Sequence, residues 1–282
     1  MVTRRQSGFS LVELVIVIVL IGAIGGIFAM QLKPVIEGYV AVGKRAALTD
    51  QADTALRRIV TEVRAAVPNS LRLANAQCME LVPTIDGGRF RTGPDVTNGG
   101  GAFLDHDAAA TEFDVVTRFT TQPAPGDLVV IGNQNPGDVY SRANVSTISQ
   151  VANNTDAWRG PHRLTVTPTR IPFGYEDGRF VVAPGAEPSV SYVCEGAGTT
   201  PDGSTGTGRV HRVTRTTLDL LQTCPATAGA PLLASRVASC QFIYSPNQGA
   251  TQQSGFVQLQ LRLTDGGETV SLTLGAHVSN VP

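Results

Sequence analysis

The most unusual placement of a reactive group in this 282-residue chain is Glu13. It is the fifth residue of the apolar run Phe9–Met30, in which Ser10 is the other clearly polar side chain. A carboxylate near the middle of a bilayer costs about 3 kcal/mol, and less toward an end, so an acid in such a run points to pairing or function. Four cysteines, Cys78, Cys194, Cys224 and Cys240, form the second informative set. None stands in C-x-x-C spacing, which argues against zinc ribbons and thioredoxin-like chemistry. On the oxidising side of a membrane they would become disulfides, and three connectivities are open to them. The expected pairs are Cys224–Cys240, whose closed loop of about 16 residues is worth roughly 3 kcal/mol in chain entropy, and Cys78–Cys194.

Other groupings carry less. Asp105-His106-Asp107 has the residue types of a metal fragment, yet acids alternating around one histidine read as a solvated loop. The histidines His106, His162, His211 and His277 are scattered, and no G-x-S-x-G elbow accompanies them, so hydrolase chemistry has no support. Gly196–Gly208 resembles a phosphate loop in composition alone; without a Lys-Ser/Thr ending or a following helix it reads as a flexible loop. Arg209, Arg212 and Arg215 read as a solvated strand face. The expectation is a non-enzymatic chain with no cofactor and no metal.

The elements that position these residues follow from composition and periodicity. Hydrophobic residues make up 42% of the chain and charged ones 16%, which excludes a disordered polymer. Only one apolar stretch is long enough to cross a bilayer, which excludes a polytopic membrane protein. Lys and Arg number 22 against 23 Asp and Glu, so no global basic field argues for nucleic acid. Gly 30 and Pro 17 predict many turns rather than a helical bundle.

As a helix, residues 9–30 span about 33 Å, enough for the hydrocarbon core. Beyond them Ala47, Leu48, Ala52, Ala55, Leu56, Ile59, Val63 and Val67 recur at three- and four-residue steps and form one apolar stripe. Arg57, Arg58, Glu62 and Arg64 fall largely outside it. Pro68 stops the pattern, so residues 9–67 read as one helix, weakened or kinked by Gly22, Gly25, Gly26, Pro34 and Gly38.

From residue 78 the pattern is β, with short candidates at 78–82, 112–119, 128–131, 163–167, 180–183, 189–194 and 208–214. The clearest pair is Val257–Thr264 and Val270–Val278, alternating on either side of Asp265-Gly266-Gly267-Glu268, with Val237–Tyr244 as a neighbour. Long loops fall at 93–102, 132–144, 152–161 and 196–207.

Three readings of the N-terminus compete. A secretory signal requires a small-residue cleavage site after its apolar region, and Phe28-Ala29-Met30-Gln31-Leu32-Lys33-Pro34 offers none. A plain anchor explains the length of the run but not Glu13. The segment Gly8-Phe9-Ser10-Leu11-Val12-Glu13, after a short leader carrying Arg4 and Arg5, resembles the class III signal of type IV prepilins and pseudopilins. The resemblance implies that a prepilin peptidase cuts between Gly8 and Phe9 and methylates the new amine of Phe9. It also implies that Glu13 pairs with an α-amine, its own or a neighbour's, as a register device in assembly. Gly8 suits the first role because it lets the backbone approach a protease closely. Arg4 and Arg5 favour a cytoplasmic N-terminus, but Lys33, Lys44 and Arg45 lie on the other side, so orientation rests on the motif.

Further stretches look like the MshO-type minor pseudopilins of the mannose-sensitive haemagglutinin (MSHA) pilus system. They are Cys78–Pro83 with Gly87–Arg91, Asp127–Ile131, Gly178–Val182 with Val190–Cys194, and Leu263–Glu268 followed by Val281-Pro282. The resemblance implies an α+β fold: a long N-terminal helix, transmembrane in its first half and amphipathic in its second, packed on a mainly antiparallel β-sheet head with long loops. The parts are a cleaved leader (1–8), a transmembrane helix (9–30), a periplasmic helical half (31–67) and a β-rich head (68–282). The expected role is a minor pseudopilin that primes or caps a type IV, MSHA-like pilus, including at its tip. A type II secretion pseudopilin and a tip-located adhesive module are the alternatives. The expected partners are prepilin peptidase, the inner-membrane pilus assembly platform, other minor and major pilins, and the lipid bilayer, with no nucleic acid. The expected location is the bacterial inner membrane, single-pass with a periplasmic head, and then the filament.

Overall fold

The computed structural model describes residues 8–175, 177–248 and 254–280. Arg4, Arg5 and the rest of the leader before Gly8, and Val281-Pro282, lie outside the described residues. The fold is α+β, and the chain divides into two compact units, Met1–Ala47 and Leu48–Pro282.

One helix, α1 (Leu11–Arg64), runs through the division with Pro34 inside it. Its membrane-length apolar stretch is fully exposed. Buried positions begin at Leu48 and continue with Ala52, Ala55, Leu56, Ile59, Val60 and Val63. The expected stripe is therefore real, except that Ala47 is exposed and Val60 joins it. The helix ends earlier than residue 67 because Ala66 bridges to Pro83 and the Val67 N–H donates to the Val82 carbonyl at 2.9 Å. Tertiary strand pairing takes the backbone groups that another helical turn would have used.

Two antiparallel sheets make up the second unit. The seven-stranded sheet has the order β1 (Arg72–Asn75), β2 (Cys78–Leu81), β9 (Ser189–Glu195), β10 (Gly208–Arg215), β11 (Leu232–Gln248), β12 (Ser254–Asp265), β13 (Glu268–Ser279). One face packs on Leu48–Val63 of α1, with Met79, Leu81, Tyr192, Phe242, Leu259 and Leu261 among the core residues. The terminal hairpin is as its alternation predicts. Asp265 pairs with Glu268 across Gly266 and Gly267, which have φ of 56° and 86°. Two successive positive φ values are what a tight primed turn demands, and glycine supplies them without steric cost.

The six-stranded sheet has the order β3 (Asp86–Arg89), β8 (Arg179–Ala183), β5 (Leu128–Val130), β6 (Val145–Asn153), β7 (His162–Thr169), β4 (Ala110–Val115). Its two edges meet. Phe90 bridges to Val115, Val116 N–H donates to Arg89 O at 2.9 Å, and Arg91 N–H donates to Asp114 O at 3.0 Å. The sheet thus closes on itself around a second core that includes Phe113, Phe180, Ile131, Ile148 and Leu164. Closure removes the open edges that would otherwise invite pairing with other chains. Phe90, Phe113 and Phe180 meet edge to face at centroid spacings of 6.0 and 5.5 Å. A third, smaller cluster, including Val67, Val82, Leu128, Val130 and Tyr140, joins the two sheets.

Three strands differ from expectation. Polar β1 has little apolar alternation. The Asp-Gly-Gly-Arg sequence of β3 has almost no β propensity. Its glycines are there for space: a Cβ on Gly88 would collide with the Thr117 hydroxyl, and one on Gly87 would lie 2.9 Å from Phe180 O. Strand β6 occupies the Ser/Thr-rich stretch between two expected loops. The 196–207 segment is a hydrogen-bonded turn rather than an open loop. Thr199 bridges to Gly206, and Asp202 accepts from the Thr200 and Ser204 hydroxyls, which lowers its carboxyl to about 2.

Candidate functional site

The N-terminal segment places its motif residues at the mouth of α1. Gly8, Phe9 and Ser10 precede the helix, and Phe9 is 76% exposed. The Ser10 hydroxyl accepts a hydrogen bond from the Glu13 N–H at 3.3 Å, and the Ser10 carbonyl accepts from Leu14 N–H at 3.2 Å. Ser10 is therefore the N-cap of α1, and Glu13 stands in its first turn at the capping-box position. The pattern S-x-x-E before an apolar run announces a helix start, and this second meaning of Ser10 and Glu13 adds to the assembly reading. The first-turn N–H groups leave a partial positive charge at the helix mouth, and a carboxylate there is favourable. An α-amine created at Phe9 would add a full positive charge at the same place, and Glu13 is the described acid in that turn.

The four cysteines form two disulfides, but the pairs are Cys78–Cys224 and Cys194–Cys240. The expected pairing of Cys224 with Cys240 and of Cys78 with Cys194 is corrected by the parity of the seven-stranded sheet. Cys78 pairs in register with Val193, so its side chain lies on the opposite face from Cys194. Met79, Leu81, Tyr192 and Cys194 face the helix, and so does Cys240, which pairs with Leu261. Successive strand residues alternate faces, so Cys194 and Cys240 share the helix side while Cys78 is on the other. Cys224 comes from the loop that crosses this far side.

Arg72 holds the same loop. Its guanidinium donates to Leu220 O at 2.9 Å and Asp219 O at 2.6 Å, and to Glu80 Oε2 at 2.9 Å. Glu80 is buried and also accepts from the Ser189 hydroxyl at 2.7 Å. The Arg72 guanidinium lies 3.4 Å from the centre of the Tyr140 ring. Burial, then the Glu80 carboxylate, raises the Tyr140 phenol well above its usual range.

The remaining candidates separate. Arg212 lies on the helix side of β10 and donates to both Glu62 carboxylate oxygens at 3.0 Å, while Arg215 pairs with Asp219 at 3.3 Å. The basic triplet is thus split between two sheet faces instead of lining one solvated face. Burial, then Glu62, raises the Tyr192 phenol beside this pair. Asp105 Oδ1 accepts from Asp107 and Ala108 N–H at 3.0 and 2.8 Å, an Asx turn. Among the described residues, no three His, Cys, Asp or Glu side chains gather as a metal site would require.

Residues 3–29 match the family described as the prokaryotic N-terminal methylation motif. No curated protein and no solved structure matches the chain. The match spans the processing and apolar segment and does not reach the head. The chain thus carries a type IV pilin-like class III signal. That motif implies a prepilin peptidase substrate, pilin-type assembly and a membrane-anchored subunit.

Proposed function

We propose that this chain is a minor pseudopilin of the MshO type, a non-enzymatic subunit that primes or caps an MSHA-like type IV filament. The observation that supports its pilin-type part is the methylation motif at residues 3–29, which overlaps the start of one helix, Leu11–Arg64, whose far end is built into a disulfide-bonded β head. The MshO-type part rests on the resemblance of the head stretches Cys78–Pro83, Gly87–Arg91, Asp127–Ile131, Gly178–Val182, Val190–Cys194 and Leu263–Glu268. In this reading the leader is cut at Gly8–Phe9, Phe9 is methylated, and the helix anchors the chain in the inner membrane with the head in the periplasm. Leaving either Glu13 or the Phe9 amine unpaired in lipid is costly, so the two charges set the register between neighbouring helices.

Substitution of Glu13 tests the proposal. The Glu13→Val backbone N–H can still donate to Ser10, so the helix start is retained. The variant should be membrane-inserted and trimmed to Phe9, yet recovered with partner minor pilins at less than a tenth of the wild-type level. Gly8→Val, which blocks the approach of a peptidase, should remain uncut. Co-purification together with N-terminal sequencing reads both. Normal recruitment of Glu13→Val would show that the acid serves only to start the helix.

A further inference from the structure

A cavity of about 590 Å³ lies on the outer surface of the closed sheet, where β3, β8 and β5 face the chain leaving α1. Its walls are largely apolar. Val181 of β8 and Val130 of β5 line it from the sheet, and Val67 and Pro68 line it from the other side. Gly87 of β3 leaves the space over Val181 open, since a Cβ there would come within 3.5 Å of the Val181 Cγ1. Arg89 and Arg179 also line the cavity, and they pair directly across β3 and β8.

That pair is unfavourable as it stands. Side chains opposite one another on neighbouring strands have Cβ atoms about 5 Å apart, and like charges so placed repel. Asp177 lies 3.9 Å from Arg179, but among the described residues the Arg89 side chain has neither an ion pair nor a hydrogen bond. Two guanidinium groups beside an apolar recess of this volume match an amphipathic anion. The body of the ligand leaves water, and its head bridges the two cations with charge-assisted hydrogen bonds.

We infer that this recess is a binding site for a small amphipathic carboxylate, with an aryl or short acyl body against Val130 and Val181 and its head between Arg89 and Arg179. The site lies wholly within the Leu48–Pro282 unit, and the inference does not rest on the proposed function.

Photolabelling of the full chain in a neutral detergent tests the inference. The probe is 4-azidobenzoate, with uncharged 4-azidobenzyl alcohol as its comparison, and adducts are located by peptide mapping. The carboxylate should label the 86–92 and 179–183 segments saturably, and unlabelled benzoate should compete. The double variant Arg89→Gln/Arg179→Gln should lose at least tenfold of that labelling while keeping both native disulfides and its melting temperature. Val181→Trp, which fills the recess, should abolish labelling there by either probe. Non-saturable labelling of the wild type would overturn the site. Labelling unchanged by removal of both arginines, or equal for the charged and uncharged probes, would overturn its anionic specificity. The wild-type competition keeps the test decisive even if a variant fails to fold.

Discussion

The two halves of α1 share a secondary structure and differ in burial. Ile18 is 62% exposed and Ile59 is 1% exposed, although both are isoleucines in one unbroken helix. As far as Met30 the first half is apolar on nearly every side, which suits lipid; the second concentrates its apolar groups in a stripe, which suits a protein core. Their ion pairs divide in the same way. Lys33 and Glu37 pair at 3.9 Å with side chains 79% and 66% exposed, whereas Glu62 reaches across to Arg212 with side chains 21% and 19% exposed. Helicity therefore says little about what holds a segment in place; the distribution of apolar side chains around it says much more.

The largest test of this contrast removes the covalent links that belong to the head alone. The two disulfides span sequence separations of 146 and 46 residues. On the chain-entropy argument they contribute about 5 and about 4 kcal/mol respectively. Replacing all four cysteines with alanine should unfold the head under mild denaturant while the Leu11–Ala47 portion stays helical in detergent, as circular dichroism and limited proteolysis would read. Non-reducing peptide mapping of the native chain should recover Cys78 with Cys224 and Cys194 with Cys240. Recovery of any other pairing would break the sheet-parity argument.

A smaller perturbation compares the same residue type in both halves. Ile59→Ala should destabilise the head by about 2–5 kcal/mol, since a fully buried side chain leaves a cavity. Ile18→Ala should leave denaturant melting of the head unchanged. Equal effects would mean that the two halves are not energetically separate.

The smallest expected difference concerns charge. Glu62→Gln removes the ionic partner of a largely buried guanidinium and should cost about 1 kcal/mol. Glu37→Gln should cost less than about 0.5 kcal/mol, because an exposed i,i+4 pair is weak and screened. The Glu62 effect should persist in high salt, and the Glu37 effect should vanish.

Much of this architecture was readable in the residues because the deciding interactions are local. The apolar run, the stripe from Leu48 to Val63, and the alternation around Gly266 and Gly267 each express a short-range period or a required backbone conformation. The S-x-x-E start at Ser10 and Glu13 is an equally local signal, and the sequence reading missed it; the 3.3 Å bond from the Glu13 N–H to the Ser10 hydroxyl brings it out. The methylation motif is a linear feature by nature, since a processing enzyme reads it along the chain.

What tertiary structure alone decided depends on which distant residues share a face or an edge. Cys78 and Cys194 come from neighbouring strands, yet a register offset of one residue puts them on opposite sides of the sheet, and no spacing in the sequence encodes that offset. The glycines of β3 give no strand signal in the sequence, and their role shows only when Phe180 and Thr117 are brought against them. The closure of β3 on β4 needs Phe90 and Val115 to meet across a large stretch of chain. Local periodicity determines which elements form and which side of each is apolar; the long-range pairing of strands determines which of those sides, cysteines and charges ever meet.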